Sequence, residues 1–150
     1  MKYSNVELHY QEGWELISLP LRPAGKKLID IFPEAESAYK YLNGSYVQTD
    51  ILKPGIGYCI RFSKNGSVKI VGEPFAEYQI NLKPGCYLIG STSEESVIKV
   101  TPEDAIEGIY QYKDGEYEKI NMLSPGKAYW VKVIKKCMML IKNKFMAFQQ

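Results

Sequence analysis

The sequence has few of the residue types that catalysis and metal binding use most. Only His9 is a histidine, and only Cys59, Cys86 and Cys137 are cysteines. A Ser-His-Asp or Cys-His catalytic set would have to use that one imidazole. Three cysteines without a Cys-x-x-Cys spacing provide neither a disulfide framework nor a zinc knuckle. The sequence therefore predicts no catalytic residue, no metal site and no cofactor.

Long apolar runs and a strong charge of one sign are also missing. No run approaches the roughly 18 apolar residues of a membrane span, and the start, MKYSNVELHY, lacks the apolar core of a signal peptide. The 19 basic residues nearly balance the 17 acidic ones, for a net charge of +2. We expect no membrane insertion and no nucleic-acid partner. The chain is then either cytosolic or a piece of an exported protein.

Tyrosine, glycine and proline are the residues that the sequence does have. It contains 12 Tyr, 12 Gly and 8 Pro, a composition that favours strands and turns over helices. Hydrophobic residues make up 45% and charged residues 24%, which is typical of a globular protein. A chain of 150 residues forms one ordinary domain or two small ones.

The chain resembles itself when it is shifted by about 71 or 72 residues. The matching segments are GWELIS (13–18) with GCYLIG (85–90), AYKYLNGSY (38–46) with IYQYKDGEY (109–117), and LKPGIGYCI (52–60) with LSPGKAYWV (123–131). The register holds along nearly the whole chain with about one insertion or deletion. We interpret this as a tandem duplication, with repeats at 1–73 and 74–150 that pack as one unit.

Each repeat shows the period of two that strands have. Tyr58, Ile60 and Phe62, for example, alternate with polar residues. Turn pairs separate the strands: Asn43-Gly44, Asn65-Gly66 and Asp114-Gly115 predict two-residue hairpins, and Pro54-Gly55, Pro84-Gly85 and Pro125-Gly126 predict type II turns.

Helix is scarce in the sequence. TPEDAIEG (101–108) has a Thr cap, Pro at the first helical position and acids in the first turn, and KKLIDIF (26–32) occupies the matching place in the first repeat. We expect about five strands and one helical turn in each repeat. The predicted fold is all-β with minor helix. Its two repeats are related by a pseudo-twofold axis in a barrel-like or sandwich arrangement.

The segments GWELISLP, YKYLNGSY and LKPGIGYCI resemble a repeat of bacterial and archaeal exported, multidomain surface proteins. In that repeat the pattern runs Gly-Trp-x-Leu-Ile-x-x-Pro, Tyr-x-Tyr-x-x-Gly-x-Tyr, then Leu-x-Pro-Gly-x-Gly-Tyr-Trp. The resemblance implies a non-catalytic β module in a larger secreted or cell-surface protein, and it implies no particular ligand. The sequence departs from the pattern at Cys59, where the family usually has Trp, and at Cys86, which matches Trp14.

The scarce reactive residues have structural interpretations. His9 lies in an alternating strand pattern on the side of Glu7, so we expect it to face solvent. Cys59 and Cys86 match tryptophans of the other repeat, which indicates apolar packing positions. Cys137 matches a turn glycine, Gly66, and is expected to be the most exposed thiol.

The tyrosines divide into two groups. Six share strand faces with apolar residues and are predicted to lie in the core: Tyr39, Tyr41, Tyr58, Tyr110, Tyr112 and Tyr129. Other aromatic and cationic residues share faces with polar groups and are predicted to form a binding surface: Tyr46, Tyr117, Trp130, Lys132 and Arg61. Aromatic rings beside polar groups suit stacking on sugars or the anchoring of a protein.

These observations lead to one main functional hypothesis and two alternatives. The main hypothesis is a non-enzymatic interaction or structural module of an exported cell-surface protein, with a protein or a glycan as ligand. The first alternative is a cytoplasmic β scaffold subunit of an assembly, which three unpaired cysteines favour. A hydrolase comes third, because no acid pair or nucleophile is repeated in both halves.

Overall fold

The computed structural model describes residues 3–147, and its regular structure is almost entirely β-strand. The strands of the first half are β1 (Ser4–Tyr10), β2 (Gly13–Ile17), β3 (Arg22–Pro23), β4 (Ala35–Leu42), β5 (Ser45–Gln48), β6 (Tyr58–Phe62) and β7 (Gly66–Glu73). Those of the second half are β8 (Glu77–Leu82), β9 (Gly85–Gly90), β10 (Ser96–Thr101), β11 (Ile106–Lys113), β12 (Glu116–Ile120), β13 (Ala128–Val133) and β14 (Cys137–Asn143). The predicted all-β class is confirmed.

Within residues 3–147, helix is confined to three short segments. Helix α1 (Leu28–Ile31) and a 3-10 turn (Glu103–Ala105) fall inside the two predicted helical segments, and helix α2 (Lys144–Ala147) follows the last strand. The predicted Thr cap is wrong, because Thr101 ends β10 and Pro102 itself precedes the turn without a side-chain cap. Among residues 3–147, no helix is long and apolar enough to cross a membrane.

The strands form four antiparallel sheets, and the two halves have the same strand order. The first half has sheets β1-β7-β3 and β2-β6-β4-β5, and the second half has β8-β14-β10 and β9-β13-β11-β12. In the described residues 3–147, each half therefore has seven strands, compared with about five predicted. Strands β1, β3 and β7, and their counterparts β8, β10 and β14, build the three-stranded sheets.

Each half has its own hydrophobic core between its two sheets. In the first half, Tyr10 and Ile70 from the three-stranded sheet pack in one cluster with Ile60 and Phe62 from the four-stranded sheet. The second half forms a separate cluster of the same kind, to which Met139 contributes from β14. Each half is thus a small sandwich of two layers, and α1 or the 3-10 turn contributes further apolar residues to its core.

The predicted turns are confirmed at Asn43-Gly44, Asp114-Gly115, Pro54-Gly55 and Pro125-Gly126, whereas the type II turn predicted at Pro84-Gly85 is wrong, because Gly85 begins β9 with a φ of 150°. Asn43 and Asp114 have φ values of 51° and 52°, as two-residue hairpins require, and Gly55 and Gly126 have φ values of 86° and 84°. The hairpin predicted at Asn65-Gly66 is wrong. Strands β6 and β7 belong to different sheets, and the Asn65 side chain accepts a hydrogen bond from the Glu12 amide at 2.8 Å.

A buried tyrosine explains why the Pro-Gly segment is present in both halves. The Tyr58 hydroxyl accepts a hydrogen bond from the Lys53 amide at 2.8 Å, and the Tyr129 hydroxyl accepts one from the Ser124 amide at 2.9 Å. Both rings are 2% exposed. The ring of each tyrosine therefore packs in the core. Its hydroxyl group hydrogen-bonds to the backbone of the turn that precedes its strand and so stabilises that turn.

The halves are joined by contacts that occur in reciprocal pairs. The Ser18 amide donates to the Gly126 carbonyl at 3.1 Å, and the Gly90 amide donates to the Gly55 carbonyl at 3.1 Å. The sequence shift that matches Ser18 to Gly90 also matches Gly55 to Gly126. A twofold relation between the halves requires such pairs. The duplication itself stays a prediction from the sequence.

One pair of facing residues differs between the halves, and the change in size at one position is offset by the change at the other. Tyr10 lies directly opposite Gly66, and the matching pair in the second half is Leu82 opposite Cys137. A Cβ at Gly66 would lie 2.7 Å from the Tyr10 hydroxyl oxygen, and the Tyr10 ring is stacked on Phe62 at 3.7 Å. One half thus combines a large and a small residue, and the other combines two of intermediate size.

Replacing either buried tyrosine with phenylalanine should lower stability, because the change leaves a partly buried amide without its acceptor. We expect Tyr58→Phe and Tyr129→Phe each to cost about 1–3 kcal/mol of unfolding free energy, measured by urea denaturation. Tyr112→Phe, at a side chain that is 53% exposed, is the control and should change stability little. Equal effects at the three positions would contradict the role of the two hydroxyl groups.

The Tyr10 and Gly66 positions should be energetically coupled. Gly66→Cys should destabilise the protein by about 1–3 kcal/mol while Tyr10 is present, because the new side chain overlaps the ring. In a Tyr10→Leu background, which reproduces the pair of the second half, the same change should cost much less. A double-mutant cycle from urea denaturation measures the coupling, and additive costs would show that the two positions are independent.

Candidate functional site

The outward faces of the two four-stranded sheets carry most of the exposed aromatic side chains. Strand β6 directs Tyr58, Ile60 and Phe62 into the core, so Cys59 and Arg61 project from the opposite face. Residues directly opposite one another in a sheet share a face. The pairs Trp14–Arg61, Tyr39–Cys59 and Tyr41–Tyr46 therefore place four aromatic side chains on the outward face of the first half.

These residues line a cleft in the first half, which we call the first cleft. It has a volume of about 470 Å³ and is lined by Trp14, Tyr39, Tyr46 and Cys59. The Trp14 and Tyr39 rings meet edge to face with their centroids 5.6 Å apart. Trp14 is 51% exposed and Tyr46 is 54% exposed, so two large apolar surfaces are open to a ligand.

The matching face of the second half forms a second cleft. It has a volume of about 380 Å³ and is lined by Tyr110, Tyr117, Trp130, Cys86, Val131, Lys132 and, from the first half, Tyr41. The Tyr41 ring lies edge to face on the Trp130 indole with centroids 4.9 Å apart. The first hairpin therefore reaches across the junction and contributes one wall of the second cleft.

The two clefts have the same components in exchanged positions. The sequence shift matches Tyr39 to Tyr110 and Tyr46 to Tyr117, whereas Trp14 matches Cys86 and Cys59 matches Trp130. Each half therefore supplies its own cleft with two tyrosines, one tryptophan and one cysteine, and Tyr41 of the first half is a third tyrosine in the second cleft. The small cysteine leaves free space where the other half has an indole.

An ion pair adjoins each cleft on the same sheet. Arg61 Nε is 3.2 Å from Glu36 Oε1 in the first half, and Lys132 Nζ is 3.2 Å from Glu107 Oε2 in the second. The two pairs match under the sequence shift, and all four side chains are about half exposed. The Arg61 guanidinium also lies 5.5 Å from the centre of the Trp14 ring. Charged donors and acceptors are thus available next to the apolar rings.

The clefts lie close to each other at the junction of the halves. The Tyr46 and Trp130 rings, one from each half, have centroids 6.5 Å apart. Burial raises the pKa of the Tyr46 phenol, and the neighbouring Cys59 and Tyr117 raise it further. Tyr46 therefore lies close to groups of both halves, and a ligand in one cleft would lie near the other cleft.

The five residues of the predicted binding surface all lie on these outward faces. Tyr46 lines the first cleft, whereas Tyr117, Trp130 and Lys132 line the second. Arg61 lies beside the first cleft, over Trp14. The structure thus brings the predicted residues together on one side of each sheet.

Four tyrosines predicted to be in the core are not there. Tyr39, Tyr41 and Tyr110 are half-buried and Tyr112 is exposed, because all four project from the outward faces. The core positions of these strands belong to their neighbours Ala38 and Ile109. Side chains do alternate between the two faces of these strands, but the tyrosines lie on the outward face and not on the core face. Only Tyr58 and Tyr129 are in the core as predicted.

The cysteines also differ from the predictions. Cys86 is exposed rather than in an apolar packing position, because its strand partner Lys132 faces solvent with it. Cys59 is half-buried beneath the first cleft. Cys137 is buried, not exposed, because it begins β14 opposite Leu82 and packs in the second core. Burial raises the pKa of both the Cys59 and the Cys137 thiols.

Reactive groups do not converge at either cleft in the described part of the chain. His9 is exposed as predicted, with its side chain 75% accessible and its Nε2 atom 3.2 Å from Glu7 Oε1. Residues 3–147 contain no cluster of three or more His, Cys, Asp or Glu side chains that could hold a metal ion. The arrangement of rings and ion pairs can stack against and hydrogen-bond a ligand.

A cluster of buried hydroxyl groups lies in the loop after β9. The Ser91 hydroxyl contacts the Ser96 hydroxyl at 3.1 Å, and the Thr92 and Ser96 hydroxyls are 2.7 Å apart. All three hydroxyl oxygens also lie within hydrogen-bond distance of the Glu94 carbonyl oxygen, so the network holds the loop closed. Their hydrogen bonds are satisfied within the fold, which indicates a structural role.

No protein-family model matches the chain, and neither a curated protein nor a solved structure matches it.

The three thiols should react with a soluble disulfide reagent in the order of their exposure. We expect Cys86 to react first, Cys59 more slowly, and Cys137 only after denaturation. Because burial raises the Cys59 pKa, its thiolate fraction at pH 8 is reduced, and its rate should keep rising as the pH is raised further. Mass spectrometry of the modified peptides measures the order, and fast labelling of Cys137 in the native protein would contradict it.

Proposed function

We propose that the chain is a non-catalytic β module that binds a protein or glycan ligand at the two clefts. One observation carries this proposal: each half contributes two tyrosines, together with one tryptophan and one cysteine in exchanged positions, to a cleft on its outward sheet face, with an ion pair beside it. The duplicated surface elements are thus ring faces and charged groups. Such a combination suits recognition rather than turnover.

The dimensions and chemistry of the clefts support this proposal. Their volumes of about 470 and 380 Å³ fall in the range of small-ligand sites, which is about 300–1,000 Å³. Tyrosine and tryptophan offer large, rigid contact areas with one polar atom each. A sugar ring, or a side chain of a protein partner, could stack between the rings and hydrogen-bond to the ion pair.

The location follows from the resemblance rather than from the clefts. We propose that the module is part of an exported cell-surface protein and that its ligand is a glycan or a neighbouring protein. A cytoplasmic scaffold subunit is the second candidate. It is favoured by three cysteines that are all free, including the exposed Cys86, because free thiols persist in reducing compartments.

Removing either indole should weaken ligand binding. The wild-type chain is first screened on a glycan array and in pull-downs from the surface and cytoplasmic fractions of its source. For the ligand found, we expect Trp14→Ala and Trp130→Ala each to lower the affinity by about tenfold or more, as for central aromatic residues of interfaces. Isothermal titration calorimetry measures the loss.

Phe145→Ala provides the matched control for this experiment. Its ring is 59% exposed but lies in α2, outside both clefts, so the affinity should not change. Equal affinities for the wild type and both tryptophan variants would contradict the proposed site. A turnover activity that survives stringent purification would contradict the non-catalytic function.

A further inference from the structure

The outer strands of the two four-stranded sheets are structurally equivalent but chemically different. Strand β5 is the last strand of its sheet, and β12 is the last strand of the matching sheet. In residues 3–147, neither strand pairs with another strand on its outer side. An outer strand of this kind presents backbone N–H and C=O groups that can pair with another chain, and proteins usually protect it with charged residues.

Only the second of these edges is protected by charge. Strand β12 carries Glu116, Glu118 and Lys119, whereas β5 (Ser45–Gln48) carries no charged residue. The difference continues on the face turned away from the clefts. There the first hairpin exposes Leu42 and Val47, at 47% and 39%, where the second hairpin has Lys113 and Glu118.

The pairing of β5 with β4 determines which of its backbone groups are free. The two-residue hairpin makes Leu42–Ser45 a hydrogen-bonded pair, and such pairs alternate along an antiparallel ladder. The Thr49 amide donates to the Ala38 carbonyl at 2.9 Å, in agreement with this alternation. Tyr46 and Gln48 therefore direct their N–H and C=O groups towards the open edge.

We propose that β5 pairs in antiparallel fashion with β5 of a second copy of this chain, with Val47 on the twofold axis. Tyr46 of each copy then lies opposite Gln48 of the other, and these two pairs provide four backbone hydrogen bonds. At a twofold axis a residue meets itself. Val47 meets an apolar side chain there, which is favourable.

The same geometry at β12 would be unfavourable. Glu118 matches Val47, so a twofold pairing of β12 would place two carboxylates directly opposite each other, which destabilises a ladder. Strand β5 can therefore pair with β5 of a second copy of this chain, whereas β12 cannot pair with itself without placing like charges together.

Because a strand of four residues buries little surface, the dimer should dissociate on dilution. Dimerisation would join the clefts of both copies along one extended face and so increase avidity for a repeating ligand.

Analytical ultracentrifugation over a range of protein concentrations tests this proposal. We expect the wild type to form dimers as its concentration rises, and Val47→Glu, which reproduces the charge of β12, to remain a monomer throughout. Val71→Glu is the control, because Val71 is 54% exposed but lies on β7 of the other sheet; it should dimerise like the wild type. Circular dichroism and the thermal midpoint check that both variants are folded.

A crosslink tests the register. In a Cys86→Ser background, Val47→Cys should form a disulfide-linked dimer under mild oxidation, because residues of a non-hydrogen-bonded pair lie close together. Glu118→Cys in the same background should give no such dimer. A wild type that stays monomeric at every concentration would overturn the proposal. A dimer that is unaffected by Val47→Glu, or that fails to crosslink at residue 47, would overturn it as well.

Discussion

The arrangement of the molecule depends on the close backbone contact between its halves. At this junction the Ser18 and Gly90 amides donate to the Gly126 and Gly55 carbonyls, and the Ser18 hydroxyl also donates to the Lys127 carbonyl at 2.6 Å. A Cβ at Gly90 would lie 2.3 Å from the Ser18 Cβ, so this approach requires glycine there. Because the two cores are separate clusters, contacts of this kind at the junction hold one sandwich against the other.

The junction also builds the candidate site. It brings the end of the first hairpin over the second sheet, so that Tyr41 contacts Trp130 and Tyr46 lies near it. Because of this packing, Tyr41 lines the second cleft and Tyr46 lines the first, next to the junction. The binding function that we propose thus depends on packing between halves, although each half supplies its own rings, cysteine and ion pair.

The two halves share the same framework but differ in their surfaces and in parts of their cores. The strand order, the tyrosine hydroxyl bonds and the positive-φ turns are the same in both. Tryptophan and cysteine exchange positions between the clefts, and the two outer strands differ in charge. In the core, Tyr10 with Gly66 corresponds to Leu82 with Cys137, since close packing tolerates a change of size only if a neighbour compensates.

The sequence by itself determined the strand-rich class, the hairpin turns at Asn43-Gly44 and Asp114-Gly115, and the solvent-facing position of His9. These features follow from local rules, namely side-chain alternation and the backbone angles that particular residues favour. The five predicted surface residues were found because they share strand faces with polar neighbours. Only the tertiary structure decided that Tyr39, Tyr41, Tyr110 and Tyr112 face outward and that Cys137 is buried. Alternation shows that a strand has two faces, but which face is covered depends on strands that are distant in the sequence.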